Sequence, residues 1–140
     1  MDYSYLLCPF VAWLTAGILK FCINSVRAKK LAFGLIGYGG LPSNHSAIVS
    51  SIATLIALKE GISHPAFGVA LALAFIVVLD ASSLRKQVGK HAVLLNQLAQ
   101  AAGVKSQLRE RMGHTLIEII AGIGTGALVA LAISKVASGH

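Results

Sequence analysis

The stretch GGLPSNHSA, residues 39–47, places two glycines, a proline, two serines, an asparagine and a histidine in a chain that is otherwise mostly hydrophobic. Such residues bind anions or carry protons, but they are poorly suited to a surface that faces lipid. Pro42 and Ser43 predict the start of a helix, because serine is a favoured N-cap and proline is tolerated in the first turn. An apolar run to about Ala57 follows, so the polar stretch stands at the entrance of a predicted membrane span.

The composition of the whole chain is typical of a membrane protein. Of its 140 residues, 56% are hydrophobic and 12% are charged, whereas a soluble domain carries about 25% charged residues. No charged residue occurs in 3–19, 31–58, 61–79 or 119–134. A bilayer core of about 30 Å requires roughly 17 to 25 helical residues. The sequence therefore predicts one all-α integral membrane domain, residues 1–140, with about four transmembrane helices.

Two further helical segments are predicted to lie at the membrane surface between the spans. The four spans are predicted at about residues 5–21, 43–57, 66–80 and 113–134, with interfacial segments at 23–41 and 82–102. Span one is predicted to be retained rather than cleaved, because its start is acidic and its apolar run is long for a signal peptide. Gly122 and Gly126 form a small-xxx-small pair in span four, which favours close helix packing.

The basic residues predict the orientation of the chain. Its net charge is +7, and ten of its twelve lysines and arginines fall at the end of span one, in the connection that follows it, or in the connection between spans three and four. Excess Lys and Arg mark the cytoplasmic side of a membrane. The charge is therefore explained by orientation in the cell membrane, with both long connections in the cytoplasm, and nucleic acid is not predicted as a partner.

Polar side chains converge at the same predicted end of the spans: Lys20, Ser43, Asn44, His45, Asp80, Arg85, His114 and Glu118. Ionisable groups in or beside a span are costly, so they are read as functional by default. Simple anchoring of helix ends is the competing interpretation. It explains any one of these residues, but it accounts poorly for so many on one side of a chain that contains five acidic residues.

The spacing of these residues suggests phosphate chemistry. His114 and Glu118 lie four apart on one helical face, so the carboxylate can orient the imidazole as a nucleophile or base. His45 lies in the first turn of its helix, where free N–H groups attract an anion. Cationic donors to that anion are Lys20, Arg85, Arg109 and Arg111. A Walker motif is absent, GIGTG (122–126) lies inside an apolar helix, and a two-histidine metal site remains an alternative.

Three motifs resemble those of the type 2 phosphatidic acid phosphatases, which are related to vanadium haloperoxidases. PSNHS (42–46) resembles their Pro-Ser-Gly-His signature, and HTLIEIIAG (114–122) resembles their third motif. Lys20 and Arg27, separated by six residues, are similar to the first motif. With four predicted spans, the combination is similar to a divergent, small branch of this superfamily.

The chain departs from the family pattern at several positions. Asn44 replaces the usual glycine, Glu118 replaces the usual aspartate, and Ala28 replaces a proline after Arg27. Leu108 stands where the third-motif arginine is expected, and Arg109 lies one place further on.

A second arginine–histidine pair also has the family spacing. Arg85 and His91 are separated by five residues, but Leu95 stands where the acid is expected. Arg85 is therefore predicted to supply the guanidinium group while His114 supplies the imidazole.

The resemblance implies a phosphohydrolase that needs no metal or other cofactor and forms a covalent phosphohistidine. Catalytic roles fall to His114 as nucleophile, His45 as acid and base, and Glu118 as the orienting carboxylate. Phosphate-binding roles fall to Lys20, Ser43, Asn44, Arg85 and Arg109, and supporting roles to Asp80, Gly39, Gly40 and Pro42. The predicted substrate is a phospholipid or polyprenyl phosphate in the surrounding membrane lipids, and a homo-oligomer is possible. The alternative hypothesis is a non-catalytic membrane protein that binds or translocates phosphorylated lipid.

Overall fold

Ser43 caps the helix that the sequence predicts to begin there. In the computed structural model, which describes residues 3–29 and 40–138, helix α2 spans Asn44–Lys59 with Ser43 as its N-cap. The Ser43 Oγ accepts hydrogen bonds from the Ser46 N–H at 3.4 Å and the Ser46 Oγ at 3.0 Å. Because the first N–H groups of a helix have no partner within it, this cap stabilises the start of α2.

The remaining described elements are also helical, and no strand occurs among the described residues. They are α1 (Ser4–Ala28), α3 (Pro65–Leu79), a π-helical turn (Asp80–Leu84), α4 (Arg85–Ala101) and α5 (Leu116–Ser138). The predicted all-α membrane class is confirmed.

Within residues 3–29 and 40–138, three helical stretches are long and apolar enough to cross a bilayer: Ser4–Ala28, Pro65–Ala101 and Leu116–Ala137. The predicted second span is present as α2, but at 16 residues it is only about 24 Å long. It packs against α1, α3 and α5 and buries residues on most of its circumference. A short central helix therefore forms the core, and longer helices surround it.

The two predicted interfacial segments have different outcomes. The second is present as α4, but it continues α3 through the π-helical turn as a single stretch of 37 residues. The sequence does not reveal this continuity, because the change from apolar to basic residues at 80–86 resembles a helix boundary. In the first segment, residues 23–29 belong to α1 and its end, whereas 30–39 lie outside the described residues.

Polar contacts at the end of the helix bundle away from Ser43 fix the direction of α1 relative to α2. The Lys59 Nζ donates to the Ser4 Oγ at 2.8 Å, and the Tyr5 hydroxyl donates to the Glu60 carboxylate. Because the beginning of α1 thus meets the end of α2, the two helices run antiparallel, and Gly17 of α1 lies near Asn44 at the start of α2. The chain alternates in direction, and the part of α1 from Gly17 to Asn24 therefore joins the predicted site.

Gly122 and Gly126 bring α5 directly against α2, as the small-xxx-small pair predicts. A Cβ at Gly126 would overlap the Ser50 Oγ and the Ala47 carbonyl oxygen, and one at Gly122 would overlap the Ser43 carbonyl oxygen. The Ser50 Oγ lies 3.3 Å from the Ile123 carbonyl oxygen across this contact. The close approach positions the first turn of α5 beside the first turn of α2.

Replacing Gly126 by alanine is expected to destabilise the fold by about 1–3 kcal/mol, because the added methyl group overpacks the α2–α5 contact. Gly124 is the matched control, since a Cβ there meets nothing within 4 Å. Gly124→Ala should be neutral or slightly stabilising because alanine has the higher helix propensity. Thermal unfolding in one detergent measures both variants. Equal melting temperatures for the two would contradict the close packing.

Candidate active site

His114 and Glu118 form the predicted pair at the start of α5. The His114 Nδ1 lies 3.0 Å from the Glu118 Oε2, and the two side chains are 8% and 14% exposed. A carboxylate only accepts hydrogen bonds, so the Nδ1 carries the proton in this contact. The Nε2 of a neutral His114 is then left with its lone pair, which is the state required of a nucleophile.

Thr115 holds the same carboxylate in place. The Thr115 N–H donates to the Glu118 Oε2 at 3.0 Å, and the Glu118 N–H donates to the Thr115 Oγ1 at 3.3 Å. These reciprocal bonds form a capping box, in which the N-cap residue and the third helical residue satisfy one another. Glu118 therefore both begins α5 and fixes the His114 ring.

The π-helical turn positions the backbone of His114. The His114 N–H donates to the Ala81 carbonyl oxygen at 2.9 Å. Gly113 precedes it with φ +86°, and a Cβ there would lie 2.9 Å from the Lys86 Cγ and 3.2 Å from the Ala81 carbonyl oxygen. A glycine is needed at this close approach, since it combines left-handed backbone with contact against the neighbouring helix.

Asp80 and Arg85 are joined across the same turn. The Arg85 Nε donates to the Asp80 Oδ2 at 2.7 Å, and both side chains are about one-third exposed. In a regular α-helix, residues five apart point in clearly different directions, whereas the π-helical turn has i→i+5 backbone bonds. The turn therefore orients Arg85, and Asp80 holds its guanidinium group.

His45 lies opposite His114. The two ring centroids are 6.4 Å apart with an interplanar angle of 55°. Charges that act on His45 come from Lys20, Asp80 and Arg85 as well as from His114. His45 is exposed whereas His114 is buried, so the His45 ring is accessible at the surface and the His114 ring lies deeper. Residues from α1, α2, α5 and the π-helical turn with its continuation thus meet at one place.

Lys20 reaches the site from α1. Its charge interacts with that of Glu118, and its Cγ lies 3.9 Å from the position of a Cβ on Gly40. Asn24, one helical turn later, is the nearest side chain to the same position, at 3.5 Å. Gly40 has φ +148°, in the region that favours glycine. Gly39 lies outside the described residues.

The signature stretch is bound tightly to α5. The Ser43 N–H donates to the Glu118 carbonyl oxygen at 2.9 Å, and both Pro42 and Ser43 are buried. The Asn44 side chain lies near Gly17 of α1, and its Oδ1 is buried without a hydrogen-bond partner. Ser43 thus supports the junction of the two helix starts, where backbone N–H groups attract an anion.

The remaining arginines occupy different positions. The Arg109 Nε donates to the Arg111 carbonyl oxygen at 3.3 Å, and the charge of Arg111 acts on Glu118. Arg27 is exposed near the end of α1, and His91 is exposed on α4. The phosphate-binding roles of Lys20, Ser43, Asn44, Arg85 and Arg109 stay predictions.

Three contributors to the site were not predicted from the sequence. Thr115 could have been found, because Thr-x-x-Glu before an apolar run is a capping-box signature. Asn24 follows Lys20 at a spacing of four, which places it on the same face of α1. The Ala81 carbonyl oxygen has no comparable signal, since its contact with His114 depends on how the connection between α4 and α5 folds.

Comparison with known proteins agrees with the motifs. The sequence model of the family described as the divergent PAP2 family matches residues 1–129. The uncharacterized membrane protein YuiD of Bacillus subtilis (strain 168) is 32% identical over 146 aligned positions, which cover 92% of this chain and 92% of YuiD. Among solved structures there is no match. The resemblance drawn from the sequence is thereby confirmed, and the chain belongs to the divergent PAP2 family of membrane proteins.

Proposed function

We propose that the chain is a membrane phosphatase that hydrolyses a lipid phosphate through a phosphohistidine intermediate. The observation that supports this most strongly is the pairing of His114 with Glu118 at 3.0 Å opposite the ring of His45. Binding alone does not require a carboxylate that orients a buried imidazole. A nucleophile does require it, because the pair keeps one ring nitrogen unprotonated and aimed.

The two histidines lie close enough to act on one bound phosphoryl group. Their ring centroids are 6.4 Å apart. A nucleophile needs a contact of about 3–3.5 Å to phosphorus, and a proton donor needs about 2.6–3.2 Å to the leaving oxygen. In this proposal buried His114 makes the first contact and exposed His45 makes the second.

The reaction proceeds in two balanced steps. The His114 Nε2 forms a bond to phosphorus, the bond from phosphorus to the lipid oxygen breaks, and protonated His45 gives its proton to that oxygen. Neutral His45 then takes a proton from water, whose oxygen attacks phosphorus and breaks the bond to His114. Lys20, Arg85 and the N–H groups at the start of α2 stabilise the negative charge on the phosphoryl oxygens.

A lipid phosphate fits the location of the site. Polar residues meet at one end of apolar helices, so an acyl or prenyl tail can stay in the bilayer while its headgroup reaches the cationic groups. Phosphatidate, phosphatidylglycerol phosphate and polyprenyl pyrophosphate all carry such a headgroup. Phosphate release from a panel of these lipids in detergent tests the proposal. Tight binding without release would favour the non-catalytic alternative.

Vanadate is expected to inhibit the release, because it adopts the five-coordinate geometry of the attacked phosphorus. A chelator should have no effect, since the proposed nucleophile is an imidazole and needs no metal to activate it. Within the described residues, no group of three or more His, Cys, Asp or Glu side chains is arranged to hold a metal ion. Activity that is lost with chelator and restored by magnesium would overturn the phosphohistidine mechanism.

The site is proposed to face the cytoplasm, because the connections beside it are basic. The test places a single cysteine at Lys105, in the connection between α4 and α5, or at Ser63, between α2 and α3, after Cys8 and Cys22 have been replaced by serine. Both positions are exposed. In intact cells, an impermeant thiol reagent should label the cysteine at position 63 only. Labelling at 105 only would mean that the orientation is inverted.

A further inference from the structure

Helix α4 has one apolar face that no other part of the described chain covers extensively. Its large residues on this face are between 43% and 60% exposed: Leu84 at the end of the π-helical turn, then Val88, Leu94, Leu95 and Leu98. A different face of α4 is buried against the protein's own chain. Gly89 and Ala92 are buried there, and the carbonyl oxygen of Glu110 lies directly over Gly89.

Asn96 binds the connection between α4 and α5 to this buried face of α4. Its Nδ2 donates to the Leu108 carbonyl oxygen and to the Glu110 Oε1, both at 2.9 Å. Its Oδ1 accepts from the Leu108 N–H at 2.9 Å and from the Ser106 Oγ at 3.2 Å. All four hydrogen-bonding positions of the amide are used, so the connection between α4 and α5 is held on this face and does not cover the apolar one.

The spacing of the apolar face matches a coiled-coil seam. Leu84, Val88, His91, Leu95 and Leu98 follow one another at intervals of four, three, four and three residues. These are the intervals between the a and d positions of a heptad repeat, and residues at these positions form the face by which one helix of a coiled coil contacts another. The polar residue in the middle, His91, sets the register of such a seam, because a mismatched pairing would bury it against leucine.

The length of the helix argues against the bilayer as the cover of this face. Residues Pro65–Ala101 form one helical stretch of 37 residues, which is about 55 Å long, whereas the bilayer core is about 30 Å thick. Because α4 continues α3 without a break in the helix, its last turns rise away from the membrane. Leu95 and Leu98 belong to these turns, beyond the reach of lipid tails.

We propose that this face binds the same face of a second copy of the chain, forming a parallel two-stranded coiled coil of α4 helices. Two copies in one membrane share one orientation, so their α4 helices are parallel and their seams meet in register. The exposed cations Lys86 and Lys90 occupy outer positions and do not oppose one another. Arg85 flanks the seam, but its charge is already paired with Asp80 at 2.7 Å.

The seam covers about 21 Å, which is short for a coiled coil in water. Two copies that are anchored in the same bilayer associate at a lower entropic cost than two copies in solution, because anchoring raises their effective concentration. The proposal does not depend on phosphatase activity.

Cysteine cross-linking in native membranes tests the pairing. In full-length protein with Cys8 and Cys22 changed to serine, single cysteines are introduced at two seam positions, His91 and Leu98. The matched controls are the preceding exposed residues, Lys90 and Gln97. Oxidation should give several-fold more covalent dimer for H91C and L98C than for K90C and Q97C. Equal yields at seam and control positions, or no dimer at any of them, would overturn the proposal.

A second measurement distinguishes the occupants. Light scattering in mild detergent should give a dimer for the wild type and for Gln97→Glu, and a monomer for Leu98→Glu. A label at position 98 should not be quenched by nitroxides carried on lipid tails. Quenching there would identify the bilayer as the cover, and a dimer that survives Leu98→Glu together with equal cross-linking would place the interface elsewhere. Either result contradicts the coiled coil.

Discussion

Replacing His114 by alanine is expected to reduce phosphate release by a factor on the order of 10⁴ or more, because the nucleophile of a covalent mechanism cannot be substituted by binding contacts alone. The His114 ring is held by Glu118 at 3.0 Å and its backbone by Ala81 at 2.9 Å. The backbone contact does not depend on the side chain, so the variant should keep its fold. Phosphate release with the best lipid of the panel measures the effect.

His91→Ala is the matched control for this loss. His91 has an arginine at the family spacing but is exposed on α4 and has no acid four residues later. The control should therefore retain most activity. A fully active His114→Ala enzyme would contradict the assignment of His114 as the nucleophile. An inactive His91→Ala enzyme with unchanged folding would indicate His91 instead.

Replacing His45 by alanine should slow hydrolysis of an alkyl phosphate by about 10²- to 10⁴-fold, the usual contribution of one general acid–base group. The defect should depend on the leaving group. With p-nitrophenyl phosphate, whose phenolate leaves without a proton, the first step should be nearly normal. Water attack still lacks its base, so one equivalent of nitrophenol should appear per site, followed by slow turnover.

The burst separates a proton donor from a residue that only binds substrate. If His45 only bound the phosphate, its removal would weaken the binding of both substrates equally, and no burst of nitrophenol would appear. Equal loss with the alkyl and aryl phosphates would therefore contradict the assigned role. Lys20→Ala gives the comparison, because the loss of a cationic donor should affect both substrates alike.

The contacts that the sequence predicts correctly are local. Ser43 caps α2 and the His114–Glu118 pair forms at a spacing of four, and both depend only on helix geometry. Gly122 and Gly126 predict the α2–α5 contact for the same reason, since close helix packing requires small residues at fixed intervals.

What the sequence does not predict depends on backbone register between distant segments. The π-helical turn at Asp80–Leu84 has no apolar signature, yet it orients Arg85 and offers the Ala81 carbonyl oxygen to His114. The continuity of α3 and α4 is likewise hidden, because basic residues at 85–90 suggest a new surface helix. The place of α2 in the centre follows from packing and not from its own length.

The measurement that tests the central proposal most directly is capture of the covalent intermediate. Enzyme mixed with lipid carrying a labelled phosphate is quenched within milliseconds in alkaline detergent, since acid cleaves a bond between phosphorus and an imidazole nitrogen. After proteolysis, the label should be found on the peptide that contains His114. In His45→Ala, label should accumulate from labelled p-nitrophenyl phosphate, because formation of the intermediate then needs no proton donor whereas water attack lacks its base. Label on the peptide containing His91, or rapid release of phosphate with no label on any histidine, would contradict the phosphohistidine mechanism.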